Sequence, residues 1–218
     1  MELLVQWLIS NWITIIGTIF ILFVFFTLLH RRRRKARGHT YLVADCHFDH
    51  ANIIRLCGRP FANVRAMNRA LVSNWNNTVR PQDTVYFLGD WAFGRRSRPA
   101  KYWMRRLKGH IVCIRGSHDR RQRGIRFYNW RELPRGGYKF LLIHNPDEKL
   151  GTWDGWVIHG HKHNNNMRKY PFINGKIKTI NISVELTRFS PVSIDYLLSL
   201  NIGSIRRMET ISSDPERW

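Results

Sequence analysis

The stretch IVCIRGSHD, residues 111–119, decides the fold that this sequence predicts. Its first four residues are apolar, and most are β-branched, which is typical of a buried strand. A glycine, a histidine and an aspartate follow at once, so the strand would deliver reactive side chains at its carboxyl end. Ligands of open α/β sheets bind at that end. If other strands end in the same way, the sequence predicts one shared site.

Four other apolar runs do end in the same way. They are YLVAD at residues 41–45, TVYFLGD at 84–90, KFLLIH at 139–144 and WVIHGH at 156–161. Apolar residues at helical spacing predict helices over 64–78 and 98–107, and a last helix is expected over 193–200. Strands and helices alternate in the first half of the chain, and strands dominate after it. This order predicts an α/β fold.

The side chains at these strand ends are types that bind divalent metals. They are Asp45, His47, Asp90, His144, His159, His161 and His163. Each motif alone is ordinary, since Gly-Asp is common in turns and a single histidine often packs in a core. Together, oxygen from Asp and nitrogen from His suit manganese, iron or zinc. A carboxylate can bridge two ions, and Asp90 is the candidate bridge.

Read in order, these blocks resemble the pattern of the calcineurin-like metallophosphoesterases, which is DxH, GDxxxG, GNH[DE], a lone His and GHxH. The matching residues here are 45–47, 89–94, 116–119, 144 and 160–163. Residues 48–61 and 181–193 look like a small bacterial and phage branch of that family. The resemblance covers about residues 41–200. It implies two packed sheets flanked by helices, an α/β/β/α sandwich.

The resemblance also implies two divalent metal ions, with manganese expected first and iron, zinc or nickel as alternatives. The residues that it implies as ligands are Asp45, His47 and His163 for the first ion, His144 and His161 for the second, and Asp90 for both. His118 would stabilise the transition state or protonate the leaving oxygen. Asp119 would orient the ring of His118.

Three further positions leave alternatives open. His159 is expected to lie behind the ligands rather than to bind an ion. His50 either faces the pocket or has a structural role. Ser117 stands where the family has an asparagine that offers a carbonyl oxygen to the second ion, and a hydroxyl is a poorer neutral ligand. Either water completes that site, or the second ion is bound weakly.

The charge of the chain points to anionic partners. The formal net charge is +21, and 30 basic and 14 acidic residues remain when Glu2 and the basic run at 31–37 are left out. Nucleic acid, nucleotides, other phosphorylated molecules and anionic lipid headgroups all fit, and a merely solubilising surface is the alternative. Arginines follow two of the blocks directly: Arg95, Arg96, Arg98, Arg120, Arg121 and Arg123. We expect positive charge around the site, with Arg120 near the substrate.

The N-terminal segment predicts a different element. No charged residue occurs from Leu3 to Leu29, which is longer than the roughly 20 apolar residues of a bilayer crossing. Residues 1–30 are predicted to be a transmembrane anchor, 31–39 a polybasic linker and 40–218 the catalytic domain. The basic run follows the apolar segment, so the N-terminus is expected outside and the domain in the cytoplasm. An odd number of cysteines without paired spacing fits a reducing compartment.

Two functions remain open at this point. The first is a membrane-anchored, metal-dependent phosphoesterase that hydrolyses phosphate esters, above all phosphodiesters, by a two-metal mechanism. The second is a catalytically weakened relative that binds phosphate-rich partners at the membrane. Ser117 favours the second function, whereas retention of the aspartate and histidine ligands favours the first.

Overall fold

The computed structural model describes residues 1–35 and 38–211, apart from the side chains of residues 3, 4, 8–10, 13–15 and 28–35. The chain divides into two compact units, Met1–Gly38 and His39–Trp218. The first unit contains the helix α1 (Glu2–Lys35). The apolar side chains described in it are largely exposed, and Phe20 and Phe23 are each 66% exposed.

The transmembrane prediction gains no support from the described residues. Among them, no helix combines the length and the hydropathy that a bilayer crossing requires. Several side chains of the predicted span over residues 3–29, and those of the basic run at 31–37, lie outside what the structure describes.

The second unit contains two β-sheets and several short helices. The α-helices are α2 (Ala51–Leu56), α3 (Val64–Thr78), α4 (Ala100–Met104) and α5 (Ile194–Ser199), and the 3₁₀ helices are η1 (Pro146–Glu148) and η2 (Ile202–Ser204). The strands are β1 (Thr40–Val43), β2 (Thr84–Phe87), β3 (His110–Ile114), β4 (Phe127–Tyr128), β5 (Trp130–Arg135), β6 (Tyr138–Ile143), β7 (Trp156–His159), β8 (Ile173–Asn174), β9 (Thr179–Asn181), β10 (Val192–Ser193) and β11 (Arg207–Met208).

The first sheet has the order β10-β1-β2-β3-β4, and the second has the order β11-β8-β9-β7-β6-β5. In the first sheet, β1 to β4 are parallel, and β10 is antiparallel to β1. In the second sheet, β6, β7 and β9 are parallel to one another. The parallel strands therefore present their carboxyl ends together within each sheet.

A hydrophobic core joins the two sheets. Leu42 and Ile114 of the first sheet pack in one cluster with Phe140 and Ile158 of the second. On the other face of the first sheet, Val43 and Phe87 pack with residues of α3 and α4. The first-sheet strands are covered on both faces, which explains why their sequences are almost continuously apolar. The predicted α/β two-sheet architecture is confirmed.

The described residues do not form the second helical layer that the sequence predicts. On the outer face of the second sheet, Leu141 and Val157 are covered by Leu150 and Trp153, which come from the segment that connects β6 to β7. That segment is too short for a long helix and contains only the single turn of η1. The expectation of an α/β/β/α sandwich is therefore corrected to a sandwich with one helical layer in the described part of the chain.

The helix predicted over 64–78 is confirmed, and the helix predicted over 98–107 is shorter than predicted. The helix α3 begins at Val64, where the Asn63 side chain caps it by accepting a hydrogen bond from the Ala66 N–H. The predicted helix over 98–107 is α-helical only over Ala100–Met104. After it, the backbone continues with bonds from Arg106 to Trp103 and from Leu107 to Met104, three residues apart, so the helix ends in tighter turns.

Candidate metal centre and active site

The loops after β1 and β2 run side by side beyond the ends of the strands. The Asp45 N–H donates to the Gly89 carbonyl at 3.0 Å, and the His47 N–H donates to the Asp90 carbonyl at 3.0 Å. These bonds continue the parallel pairing of the two strands into the loops. They bring the side chains of the DxH and GDxxxG blocks together.

Most of the candidate ligands have an unusual backbone conformation. Positive φ values between 47° and 68° occur at Asp45, His47, Asp90, His161 and His163. This left-handed region is sparsely populated by residues other than glycine, and it costs of order 1–3 kcal/mol for each residue held there. Such strain concentrates at functional sites, because the fold fixes the side-chain directions that the site requires.

Glycines at two loops allow the ligand loops to approach one another. A side chain at Gly116 would collide with the backbone nitrogen and the carboxylate of Asp90. A Cβ atom at Gly160 would lie 2.6 Å from Oδ2 of Asp45. The glycines of the GSHD and GHKH blocks are thus required by the close contact between loops.

Two groups of ligand atoms result, and His161 is the one half-buried residue among them. One contains Asp45, His47 and His163, and the other contains Asp90, His144 and His161, with the ligand atoms of each group within 4.8 Å of one another. All six residues were predicted as ligands. The structure also separates them into the two sets that the family resemblance implies, with Asp90 in the second set.

Asp90 lies between the two groups. Its Oδ2 atom is 3.4 Å from Nε2 of His47 in the first group and 3.4 Å from Nε2 of His144 in the second. Its other oxygen, Oδ1, accepts a hydrogen bond from the His118 N–H at 2.8 Å. One carboxylate oxygen is therefore directed at both groups.

Several ligand atoms are buried without a hydrogen-bond partner among the described residues. They include Asp45 Oδ1, His47 Nε2 and His144 Nε2. His144 Nδ1 lies 2.7 Å from the Leu88 carbonyl, which fixes the proton on Nδ1 and leaves the lone pair on Nε2. Unpaired buried polar atoms are costly unless something else binds them. The lone pairs of these oxygen and nitrogen atoms suit a divalent cation as their partner.

The electrostatics of the site also favour a cation. Burial acts to lower the pKa of His163, but Asp45 and Glu185 outweigh it and raise this pKa to about 11. Burial likewise opposes protonation of His144, yet the carboxylates of Asp90 and Asp45 raise its pKa to about 9. A site that raises imidazole pKa values in this way stabilises positive charge, and a bound metal ion would supply that charge.

Asp45 is held by groups that sequence reasoning missed. Its Oδ2 accepts hydrogen bonds from the His161 N–H at 2.9 Å and from the Ser183 hydroxyl at 2.7 Å, so Oδ1 is left for an ion. Ser183 is fully buried. It lies in the segment 181–193 that resembles one branch of the family, which was the only sequence signal for it.

A buried ion pair supports His163. Nδ1 of His163 lies 2.9 Å from Oε1 of Glu185, and the same oxygen accepts from Nε of Arg59 at 3.0 Å and from Nη2 at 2.7 Å. Arg59 also donates to the carbonyls of Asp45 and Cys46. Cys57, His163 and Glu185 form a third possible ligand group. Because Oε1 of Glu185 is already bonded to Arg59, we assign Glu185 to orienting the imidazole of His163.

The predicted role of Asp119 is corrected. Its carboxylate accepts hydrogen bonds from three backbone N–H groups, those of Asp90, Trp91 and Gly116. No bond from Asp119 to the ring of His118 occurs among the described residues. Asp119 instead ties the GSHD loop to the GDxxxG loop, and this holds Asp90 in place.

The remaining predicted residues lie around the two groups. The exposed ring of His118 lies 4.2 Å from that of Phe93 and 5.6 Å from that of His47. The ring of His50 lies between His47 and Phe93, at 5.5 Å and 4.7 Å.

His159 and Ser117 differ in their contacts with the second group. His159 is fully buried, belongs to neither group, and places Nδ1 2.8 Å from the Gly160 carbonyl. Burial lowers the pKa of His159 to about 3, so its ring is neutral. The exposed hydroxyl of Ser117 lies 3.4 Å from Nδ1 of His161, beside the second group.

A basic cavity opens next to His118. Its volume is about 1130 Å³, and its lining includes His118, Ser117 and Phe93. The arginines that line it are Arg95, Arg98, Arg115, Arg120 and Arg121. Arg98 is paired with Asp49 and lies over the ring of Trp103. Four of the six arginines expected around the site line this cavity, namely Arg95, Arg98, Arg120 and Arg121, and a contact between Arg120 and the substrate stays a prediction.

Comparisons with known proteins agree with this architecture. The calcineurin-like phosphoesterase family matches residues 38–208, and the chain belongs to that family. An uncharacterised protein of Methanocaldococcus jannaschii is 50% identical over 162 residues, which cover 73% of this chain and 89% of that protein. A crystal structure of a protein of unknown function from Aquifex aeolicus has a TM-score of 0.56 at 23% identity, covering 75% of this chain and 99% of that chain. The latter similarity supports the fold.

Proposed function

We propose that this protein is a metal-dependent phosphoesterase that hydrolyses phosphodiesters with two divalent ions. The observation that carries the proposal is Oδ2 of Asp90, which lies 3.4 Å from a histidine nitrogen of each ligand group. Two ions held by these groups would supply the electrophilic charge and the acidified water that hydrolysis needs at neutral pH. Manganese is the ion we propose, because mixed Asp and His ligands suit it.

The residues around the groups have defined tasks in this proposal. His118 reaches the cavity with an exposed ring and donates a proton to the leaving oxygen. Arg120 and Arg121 line the same cavity and orient the phosphoryl group through charge-assisted hydrogen bonds. Phe93 packs against His118 and limits the positions of its ring.

Hydrolysis of bis(p-nitrophenyl) phosphate tests the proposal. The purified protein is expected to release nitrophenol when manganese is present and to stop when a chelator removes it, because the acidified water depends on the ions. Turnover that persists in excess chelator would exclude the metal-dependent mechanism.

Replacing His118 with alanine is expected to lower kcat by about 100-fold, the usual contribution of a positioned general acid. Metal content should remain unchanged, because His118 contacts Asp90 through its backbone N–H, which alanine retains. Metal analysis and steady-state rates on the same preparation make the comparison. Loss of an ion in this variant would make His118 a ligand instead.

The second candidate function, a weakened relative that binds phosphate-rich partners, rests on Ser117. Its hydroxyl lies beside His161 of the second group, in the position where the family has a stronger oxygen ligand. If the second ion is bound weakly, Ser117→Asn should shift activation to lower manganese concentration by about tenfold, whereas Ser117→Ala should match the wild type. Tight binding of two equivalents by the wild type, with no shift in Ser117→Asn, would remove the support for this candidate.

We also propose that the N-terminal helix attaches the enzyme to a membrane, with the catalytic domain in the cytoplasm. The supporting observations are the charge-free sequence from Leu3 to Leu29, the basic run after it, and the exposed aromatic side chains of α1. Protease added outside intact cells should leave residues 39–218 uncut. Recovery of the full-length protein in the aqueous fraction after cell lysis would contradict the attachment.

A further inference from the structure

The loop that connects β3 to β4 carries an excess of unpaired positive charge. Its arginines are Arg115, Arg120, Arg121, Arg123 and Arg126, and all five are exposed. Asp119 is the one acidic residue of this loop, and it is buried against three backbone N–H groups. No carboxylate among the described residues forms an ion pair with any of the five guanidinium groups. The charge of the loop is therefore free to meet an anionic ligand.

These arginines connect two cavities. The cavity beside His118 shares Arg115, Arg121 and Gln122 with a second cavity of about 680 Å³. The second cavity continues past Arg123 and Arg126 to Tyr128. We call this surface, from His118 through Arg121 to Arg126 and Tyr128, the arginine track. It extends well beyond the space that a single phosphate group beside the candidate centre would need.

Flat side chains occur at both ends of the arginine track. Phe93 is 39% exposed at the end beside His118. At the other end, the guanidinium groups of Arg126 and Arg131 lie 4.8 Å and 3.7 Å from the ring of Tyr128. Aromatic rings and guanidinium planes stack against unpaired bases, while neighbouring arginines bind the phosphates.

We infer that the arginine track binds single-stranded nucleic acid, and that the phosphodiester cleaved at the candidate centre belongs to that strand; this inference rests on the proposed function. A mononucleotide would occupy only the cavity beside His118 and would leave Arg123 and Arg126 unused. Anionic lipid headgroups would bind the charge but would leave the flat side chains of the track without a stacking partner. Among the described residues of the second unit, Phe93 is the only strongly exposed large apolar side chain that lines the track.

The test compares short and long substrates in the full-length protein. For the wild type, KM for a single-stranded oligonucleotide of about 12 nucleotides should be at least about tenfold lower than KM for a dinucleotide. The double variant Arg123→Ala/Arg126→Ala should raise KM for the long substrate by about tenfold. Its kcat on bis(p-nitrophenyl) phosphate should equal that of the wild type, because neither arginine lines the cavity beside His118.

Salt dependence supplies a second measurement. If both arginines neutralise phosphates, the slope of log affinity against log salt should fall by about 1.4 in the double variant, as expected for two single-strand contacts. The matched control is Arg69→Ala/Arg168→Ala, which removes two exposed charges outside both cavities and should leave KM and the slope unchanged. If the control pair changes KM and the salt slope as much as the double variant does, the effect comes from net charge alone, and the inference is overturned.

Binding without turnover separates this inference from the proposed function. Fluorescence anisotropy of a labelled oligonucleotide, measured with chelator present, reports on the arginine track even if no ester is hydrolysed. Equal binding by the wild type and Arg123→Ala/Arg126→Ala would overturn the inference while leaving hydrolysis of the model ester intact. Loss of the preference for phosphatidylserine over phosphatidylcholine vesicles in the double variant, with oligonucleotide binding unchanged, would assign the track to lipid instead.

Discussion

Asp90→Asn is expected to lower the rate of phosphodiester hydrolysis by at least about 100- to 1,000-fold. The reason is that Oδ2 of Asp90 faces His47 and His144 at 3.4 Å each, so the same atom serves both ligand groups. An asparagine is neutral and keeps only one oxygen. If that oxygen bonds the His118 N–H as Oδ1 does now, an amide nitrogen faces the two histidines and cannot bind a cation. Metal analysis and kcat/KM with saturating manganese measure the effect.

The matched control is Asp195→Asn. Asp195 is an exposed aspartate that pairs with His39 and Arg135 and belongs to neither ligand group. Exposed ion pairs contribute about 0–1 kcal/mol, so this variant should keep its metal and its rate. If Asp90→Asn loses one ion and keeps the other, Asp90 is a ligand of one group only. If it keeps both ions and its rate, Asp90 is not the bridge.

The positions of the ligands could be predicted from sequence, because each ligand follows an apolar run. A strand covered on both faces must be continuously apolar, and the polar residues that end it are therefore conspicuous. This pattern places Asp45, Asp90 and His144 at strand ends without any knowledge of distances. The family resemblance then supplied the division into two groups, which the geometry of the structure matches.

The role of Asp119 could not be predicted in the same way. The sequence places its carboxylate beside His118, whereas the structure directs it to the backbone N–H groups of the neighbouring loop. Backbone donors have no signature in sequence, because every residue except proline carries one. Which donors are left unpaired depends on how the loops after β2 and β3 leave their strands.

The support of His163 was missed for a different reason. Arg59 and Glu185 are 126 residues apart in the chain, and each resembles an ordinary surface charge when it is considered alone. In the fold, both side chains are almost fully buried and share one carboxylate oxygen with His163. Only the packing of the segment before α3 against the segment after β9 brings them together.

Glu185→Gln is expected to weaken metal binding at the first group by about 10- to 100-fold. Glu185 fixes the imidazole of His163 through Nδ1, which leaves Nε2 for the ion, and its charge makes that nitrogen a stronger ligand. The same change should lower the free energy of unfolding by about 3 kcal/mol, because the buried guanidinium of Arg59 loses its counter-ion. Calorimetric manganese titration and urea unfolding of the metal-free protein measure the two effects separately.

A double variant shows whether these two effects have different causes. In Arg59→Met/Glu185→Gln no guanidinium is left unpaired, so part of the lost stability should return relative to Glu185→Gln. Metal affinity should remain low, because the carboxylate that orients His163 is still absent. Recovery of affinity together with stability would mean that Glu185 acts on the metal centre only by keeping the fold intact. Unchanged affinity in Glu185→Gln would mean that the imidazole of His163 is oriented by its backbone and packing, since its φ of 47° already directs the side chain toward Asp45 and His47.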